Sequence, residues 1–110
     1  MAERVLTING FKVRVKYSEL PREVEEKLTS KVVSLAEEEE KVHKIVDDKK
    51  LATEIRDYLN KTPEIGGTEA TAWHVIVGQH FVCSVKYESK TMIFFDLIEF
   101  HKSIIAFKSG

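Results

Sequence analysis

Trp73-His74-Val75-Ile76-Val77-Gly78, followed by Phe81-Val82-Cys83-Ser84-Val85-Lys86-Tyr87, is where the chain changes its period. Successive side chains of an extended chain point to opposite sides, so Trp73, Val75 and Val77 share one face. Phe81, Cys83, Val85 and Tyr87 alternate in the same way with Val82, Ser84, Lys86 and Glu88. Met92 to Ile98 is almost continuously apolar and broken by Asp96. Glu99 to Lys102 reads as a turn, and Ser103 to Phe107 as a final strand. The C-terminal half is thus a run of strands.

Upstream, a first strand precedes two segments of helical period. Phe11, Val13 and Val15 alternate with Lys12, Arg14 and Lys16, which predicts a half-buried strand with a basic outer face. Asn9-Gly10 before it is a turn signal, and residues 1–10 read as an N-terminal extension to a domain spanning 11–110. Pro21 suits a first helical turn, with Ser18 as the expected N-cap. Leu20, Val24, Leu28, Val32, Leu35 and Ala36 recur at spacings of three and four, the apolar stripe of a helix. The acidic run Glu37 to Glu40 interrupts that stripe and reads as a solvated stretch of helix. A second helix starts near Asp47-Asp48, where acids cap free N–H groups and suit the positive end of the dipole. Leu51, Ala52, Ile55, Tyr58 and Leu59 form its apolar face, and Thr62-Pro63 ends it. Residues 62–72, with Pro63, Gly66 and Gly67, read as a loop. Helices followed by a run of strands predict an α+β fold, two helices packed on an antiparallel sheet.

The length of 110 residues fits one domain. Lys and Arg number 17 against 18 Asp and Glu, a formal net charge of −1. That balance argues against nucleic acid as a partner, because phosphate binding needs clustered positive charge. A single cysteine cannot form an internal disulfide, which suits a reducing, cytoplasmic setting. No stretch approaches the ~20 apolar residues of a membrane span, and the N-terminus lacks the shape of a secretory signal.

Residues able to carry chemistry are sparse. Cys83 and His80 are three apart, and in a strand that spacing puts them on opposite faces. A cysteine packed as a small hydrophobe is the plainer reading, and a Cys83-dependent enzyme the weaker alternative. His43, His74, His80 and His101 show no metal-ligand spacing. His74, inside an apolar strand, reads as a core or interface histidine. No phosphate loop and no EF-hand pattern occurs. Asp96, Glu99 and His101 could meet in a hairpin, where a polar turn is the plainer reading than a metal or catalytic cluster. No cofactor is expected. An edge strand, by contrast, offers a row of unpaired N–H and C=O groups to another chain, and an extended peptide could add there by β-augmentation. These features favour a non-catalytic interaction module.

Several segments resemble a known family. Ala72-Trp73-His74-Val75-Ile76-Val77-Gly78, Phe81, Glu88-Ser89-Lys90, Ile93-Phe94-Phe95 and the ending Phe107-Lys108-Ser109-Gly110 are similar to the small cytoplasmic dynein light chains. The resemblance is strong over 73–110 and weaker over 12–61. There the basic strand, Glu19-Leu20, Asp48-Lys49, Leu51-Ala52 and Ile55 carry it. The resemblance implies a strand-swapped homodimer in which Phe81–Tyr87 crosses to the partner's sheet and offers its edge to an extended client, such as a dynein intermediate chain. Family clients centre on a glutamine, often as Thr-Gln-Thr, held at the start of the second helix, which matches Asp48 and Lys49. The implied groove residues are Lys16, Asp48, Lys49, Phe81, Val82, Cys83, Ser84, Val85, Lys86, Tyr87, Phe94 and Asp96. The implied dimer interface holds His74, Phe81, Cys83, Val85, Tyr87 and Glu88. A role in the microtubule cytoskeleton would follow.

The sequence also departs from the family pattern. Val82 replaces a glycine, Ser84 an aromatic residue, Lys86 a threonine, Tyr87 a histidine and Asp96 a tyrosine. Set against the family, these departures imply a dimer scaffold that is retained and a client groove altered in shape and charge. Similar divergence marks the dynein-light-chain-like C-terminal domains of trematode tegumental calcium-binding proteins. If the chain is such a domain, calcium binding belongs to EF-hands outside residues 1–110.

Overall fold

The computed structural model describes residues 3–62, 73–79 and 92–108. Its elements in chain order are β1 (Arg4–Ile8), β2 (Phe11–Ser18), α1 (Arg22–His43), α2 (Asp48–Lys61), β3 (Trp73–Gly78), β4 (Met92–Leu97) and β5 (Lys102–Lys108). The strands form one antiparallel sheet in the order β1-β2-β4-β5-β3. Both helices pack on one face of it. Leu28, Val32, Val33 and Ala36 of α1 and Leu51, Ile55 and Leu59 of α2 meet Val13, Val15, Trp73, Ile93, Phe95, Leu97, Ile104 and Ala106 in the core. The α+β expectation holds. The expected strand at Phe81–Tyr87 lies outside the described residues.

β1 is an element the sequence reading lacked. Asn9 (φ 51°) and Gly10 (φ 84°) both take left-handed conformations, as a tight hairpin turn requires. The turn folds Arg4–Ile8 back along β2, so that Leu6 and Ile8 reach the core. Arg4 also contacts Glu25 of α1, whose carboxylate is buried.

Three local expectations need correction. Ser18 does not cap α1. It ends β2, where its hydroxyl accepts from the N–H of Leu20 at 3.2 Å, and Pro21 takes the N-cap position with no side-chain cap bond. The acidic run does lie in α1, but Glu39 is only 4% exposed and faces α2 rather than solvent. Of the two readings of His74, core and interface, the core one fails: the residue lies in β3 but is exposed. The start of α2 follows expectation, with the Asp47 side chain accepting from the N–H of Lys50 at 3.0 Å.

Among the described residues, the second face of the sheet carries no helix. Met92, Phe94 and Ile105 are buried there and pack with Phe107. The register slips between Val15 and Tyr17, leaving Lys16 as a bulge residue opposite no partner in β4. Bulges commonly re-aim a side chain, and Lys16 becomes important for that reason.

Candidate functional site: an open sheet edge and a buried carboxylate

β3 lies at the end of the sheet. It pairs with β5 on one side and, among the described residues, with no strand on the other. A groove of about 370 Å³ runs beside it. From β3 it takes His74, Val75 and Ile76, which point alternately to both faces, so the groove follows the strand's edge. Lys49, Ala52, Thr53 and Arg56 form its other wall. Their spacing of three and four puts them on one side of α2. Ile76 is 45% exposed, a large apolar side chain beside an open backbone edge. The His74 ring stacks on Phe107, with centroids 5.1 Å apart and planes inclined by 24°.

A polar network interrupts the helix-free face. Asp96 is 2% exposed. The Ser103 hydroxyl donates to its Oδ1 at 2.6 Å, and Lys16 Nζ lies 3.2 Å from its Oδ2. The same ammonium sits 5.1 Å from the centre of the Phe94 ring, a cation–π contact. Lys16, at the bulge, shares this face with both Asp96 and Phe94. Tyr17 beside it has its phenol pushed above the ordinary value by desolvation, then by the charge of Glu19 and a hydrogen bond to it.

At the start of α2, Asp48 Oδ1 meets Lys102 Nζ of β5 at 2.5 Å, tying helix to sheet. Between α1 and α2, Lys50 Nζ donates to Glu39 Oε2 at 3.3 Å, and His43 Nε2 lies 3.7 Å from the same oxygen. Among the described residues no group of three or more His, Cys, Asp or Glu could hold a metal ion. Among the described residues, no helix is long and apolar enough to cross a membrane.

The sequence-expected residues therefore fall into two places. Lys49 and His74 line the groove at the β3 edge. Lys16, Phe94 and Asp96 gather on the helix-free face. Asp48 is engaged with Lys102 and is not among the groove-lining residues. Phe81, Val82, Cys83, Ser84, Val85, Lys86, Tyr87 and Glu88, and the Cys83–His80 pair, lie outside the described residues. Asp96, Glu99 and His101 do not converge: Asp96 binds Ser103 and Lys16, while Glu99 Oε1 accepts from the N–H of Lys12 at 2.8 Å. Sequence reasoning missed Arg56 and Ser103. Arg56 stands one helical repeat of seven after Lys49, a spacing that could have placed it on the same wall.

Among the described residues, two helices pack on one face of a five-stranded antiparallel sheet, which matches the dynein light chain fold. A family model for dynein light chain type 1 matches residues 12–109, and the chain belongs to that family. Among solved structures, it is similar to the dynein light chain-like domain of the Fasciola hepatica calcium binding protein FhCaBP2. That match has a TM-score of 0.64 at 14% identity, and covers 89% of this chain and 92% of that one. No curated protein matches the sequence.

Proposed function

We propose that this chain is a non-catalytic pairing and peptide-docking module. Two copies associate, residues 81–87 of one extend the sheet of the other from the β3 edge, and an extended client adds to that sheet alongside α2. The open β3 edge beside the α2 wall carries this reading. Backbone hydrogen bonds of an added strand supply affinity, and the side chains of the groove supply selection. A dimer holding two clients raises their effective concentration for each other. Family membership supports, as part of this proposal, a cytoplasmic, cytoskeleton-associated role with a dynein intermediate chain as client. The test is an anisotropy titration with a labelled Thr-Gln-Thr peptide, with the mass measured by light scattering on the same sample. A dimer that binds at micromolar concentration is the expected result. A monomer that ignores the peptide would overturn the reading.

A second reading takes the solved neighbour's setting: a dynein-light-chain-like domain that serves a calcium-binding protein through dimerisation alone. It predicts a dimer that ignores the glutamine-motif peptide, and a transcript that encodes EF-hands beyond this domain.

A further inference from the structure

The charge of the groove says more about its occupant than its shape does. Lys49 and Arg56 are both exposed on the α2 wall. Among the described residues neither has an acidic partner. The acids of α2 that could have neutralised them are engaged or placed elsewhere. Asp48 is bound to Lys102, and Glu54 lines the separate recess beside Glu39 and His43. Asp57 is exposed and does not line the groove. In a chain whose formal charge is −1, this wall carries, among the described residues, two cations and no anion.

Resting on the peptide-docking reading above, we propose that the client is an extended segment bearing acidic side chains on the face it turns to α2. The spacing supports this. Lys49 and Arg56 are seven residues apart, about 10 Å along a helix rising ~1.5 Å per residue. Same-face residues of an extended peptide recur every ~6.7 Å. Acids two or four positions apart on the client bracket that distance, and the long lysine and arginine side chains swing across the remainder. Arg56 can take a carboxylate through two parallel N–H donors, whereas Lys49 acts as a point charge. Thr53 lies between them but turns its hydroxyl to the Lys49 carbonyl at 3.0 Å. Charge, rather than a neutral hydrogen bond, therefore dominates this wall. Such contacts choose the partner and speed its arrival more than they add raw affinity.

The experiment is a selection of random linear peptides displayed on phage, run in parallel on the unaltered chain and on the variant Lys49→Glu/Arg56→Glu. Both positions are exposed, and thermal unfolding checks that the variant folds. Recovered sequences should be enriched in Asp and Glu at alternate positions for the unaltered chain, and in Lys and Arg for the variant. A synthetic copy of the best recovered peptide should lose about three- to tenfold in affinity when its acids become amides. It should weaken further as salt rises, because exposed charges are screened. Enrichment of peptides with no acidic bias would overturn the charge inference and leave β-augmentation standing. Recovery of no peptide by either protein would overturn the docking reading itself, and this inference with it. A variant that loses its dimer mass while keeping the same peptide preference would assign the two cations to the pairing of copies instead.

Discussion

Asp96→Ala tests how the helix-free face is held together. In the folded chain the carboxylate has one partner that cannot leave and one that can. Ser103 is fully buried and its hydroxyl donates to Oδ1 at 2.6 Å. Lys16 keeps 27% of its side chain exposed and has the Phe94 ring beside it. Removing the carboxylate leaves Lys16, whose side chain is 27% exposed, able to turn to water, so no charge is stranded in the interior. Ser103 has no such escape. Its lost bond is charge-assisted, worth about 1.5–3 kcal/mol, and the hydroxyl is left unpaired among Phe94 and Ile105. The expected loss is about 2–3 kcal/mol.

Asp96→Asn keeps an acceptor for Ser103 and should cost about 1 kcal/mol. Asp96→Val/Ser103→Ala removes both polar partners together and should lie within about 1 kcal/mol of the parent, because no buried group is then stranded. Urea unfolding at one fixed protein concentration is the assay, as self-association would make the midpoint concentration-dependent. If the double variant were less stable than Asp96→Ala, the stranded hydroxyl would not be the source of the loss, and the reasoning would be wrong.

Trp73→Ala empties a site that is 1% exposed in the core and should cost about 3–5 kcal/mol; an unchanged melting temperature would remove Trp73 from that role. Gly10→Ala meets no atom within 4 Å, so its cost is conformational alone, about 1 kcal/mol at a φ of 84°, and a neutral result in urea would show that the hairpin turn relaxes. Arg4→Ala leaves the Glu25 carboxylate buried without its partner and should cost about 3 kcal/mol, most of it restored by Arg4→Ala/Glu25→Leu; equal stability of all three proteins in urea would show that β1 contributes nothing through this pair.

The order of helices and strands was legible because the hydrophobic period changes cleanly, from three-and-four over Leu28 to Ala36 to two from Trp73 onward. The N-terminus of α2 was legible because Asp47 carries its own capping oxygen. What stayed hidden depends on partners distant in sequence. Glu39 reads as one more acid in a solvated run until α2 brings Lys50 to it. Asp96 reads as a break in an apolar strand until the bulge at Lys16 and the register with Ser103 supply its partners. β1 was hidden because its inward Leu6 and Ile8 are balanced by Val5, which is 53% exposed, so no alternation of apolar and polar residues marks it. Ser18 failed as a cap for a local reason: its hydroxyl turns to Leu20, two residues on, before the helix begins.

The two ends of the sheet are not equivalent, and their difference bears on function. A bare strand edge invites pairing, and proteins blunt such edges with short strands and charged residues. Without β1, the end strand would be β2, eight residues long. The added hairpin replaces it with a five-residue strand that begins at Arg4 and is tied to α1 through Glu25. At the opposite end β3 is flanked by a helix wall that stands beside the edge without covering it, and Ile76 is left exposed there. Among the described residues, the sheet is thus blunted where the N-terminal hairpin lies and left unpaired where α2 lies. Association of copies and of clients, as proposed here, is then directed to the β3 side, where Lys49 and Arg56 can read the charge of what arrives.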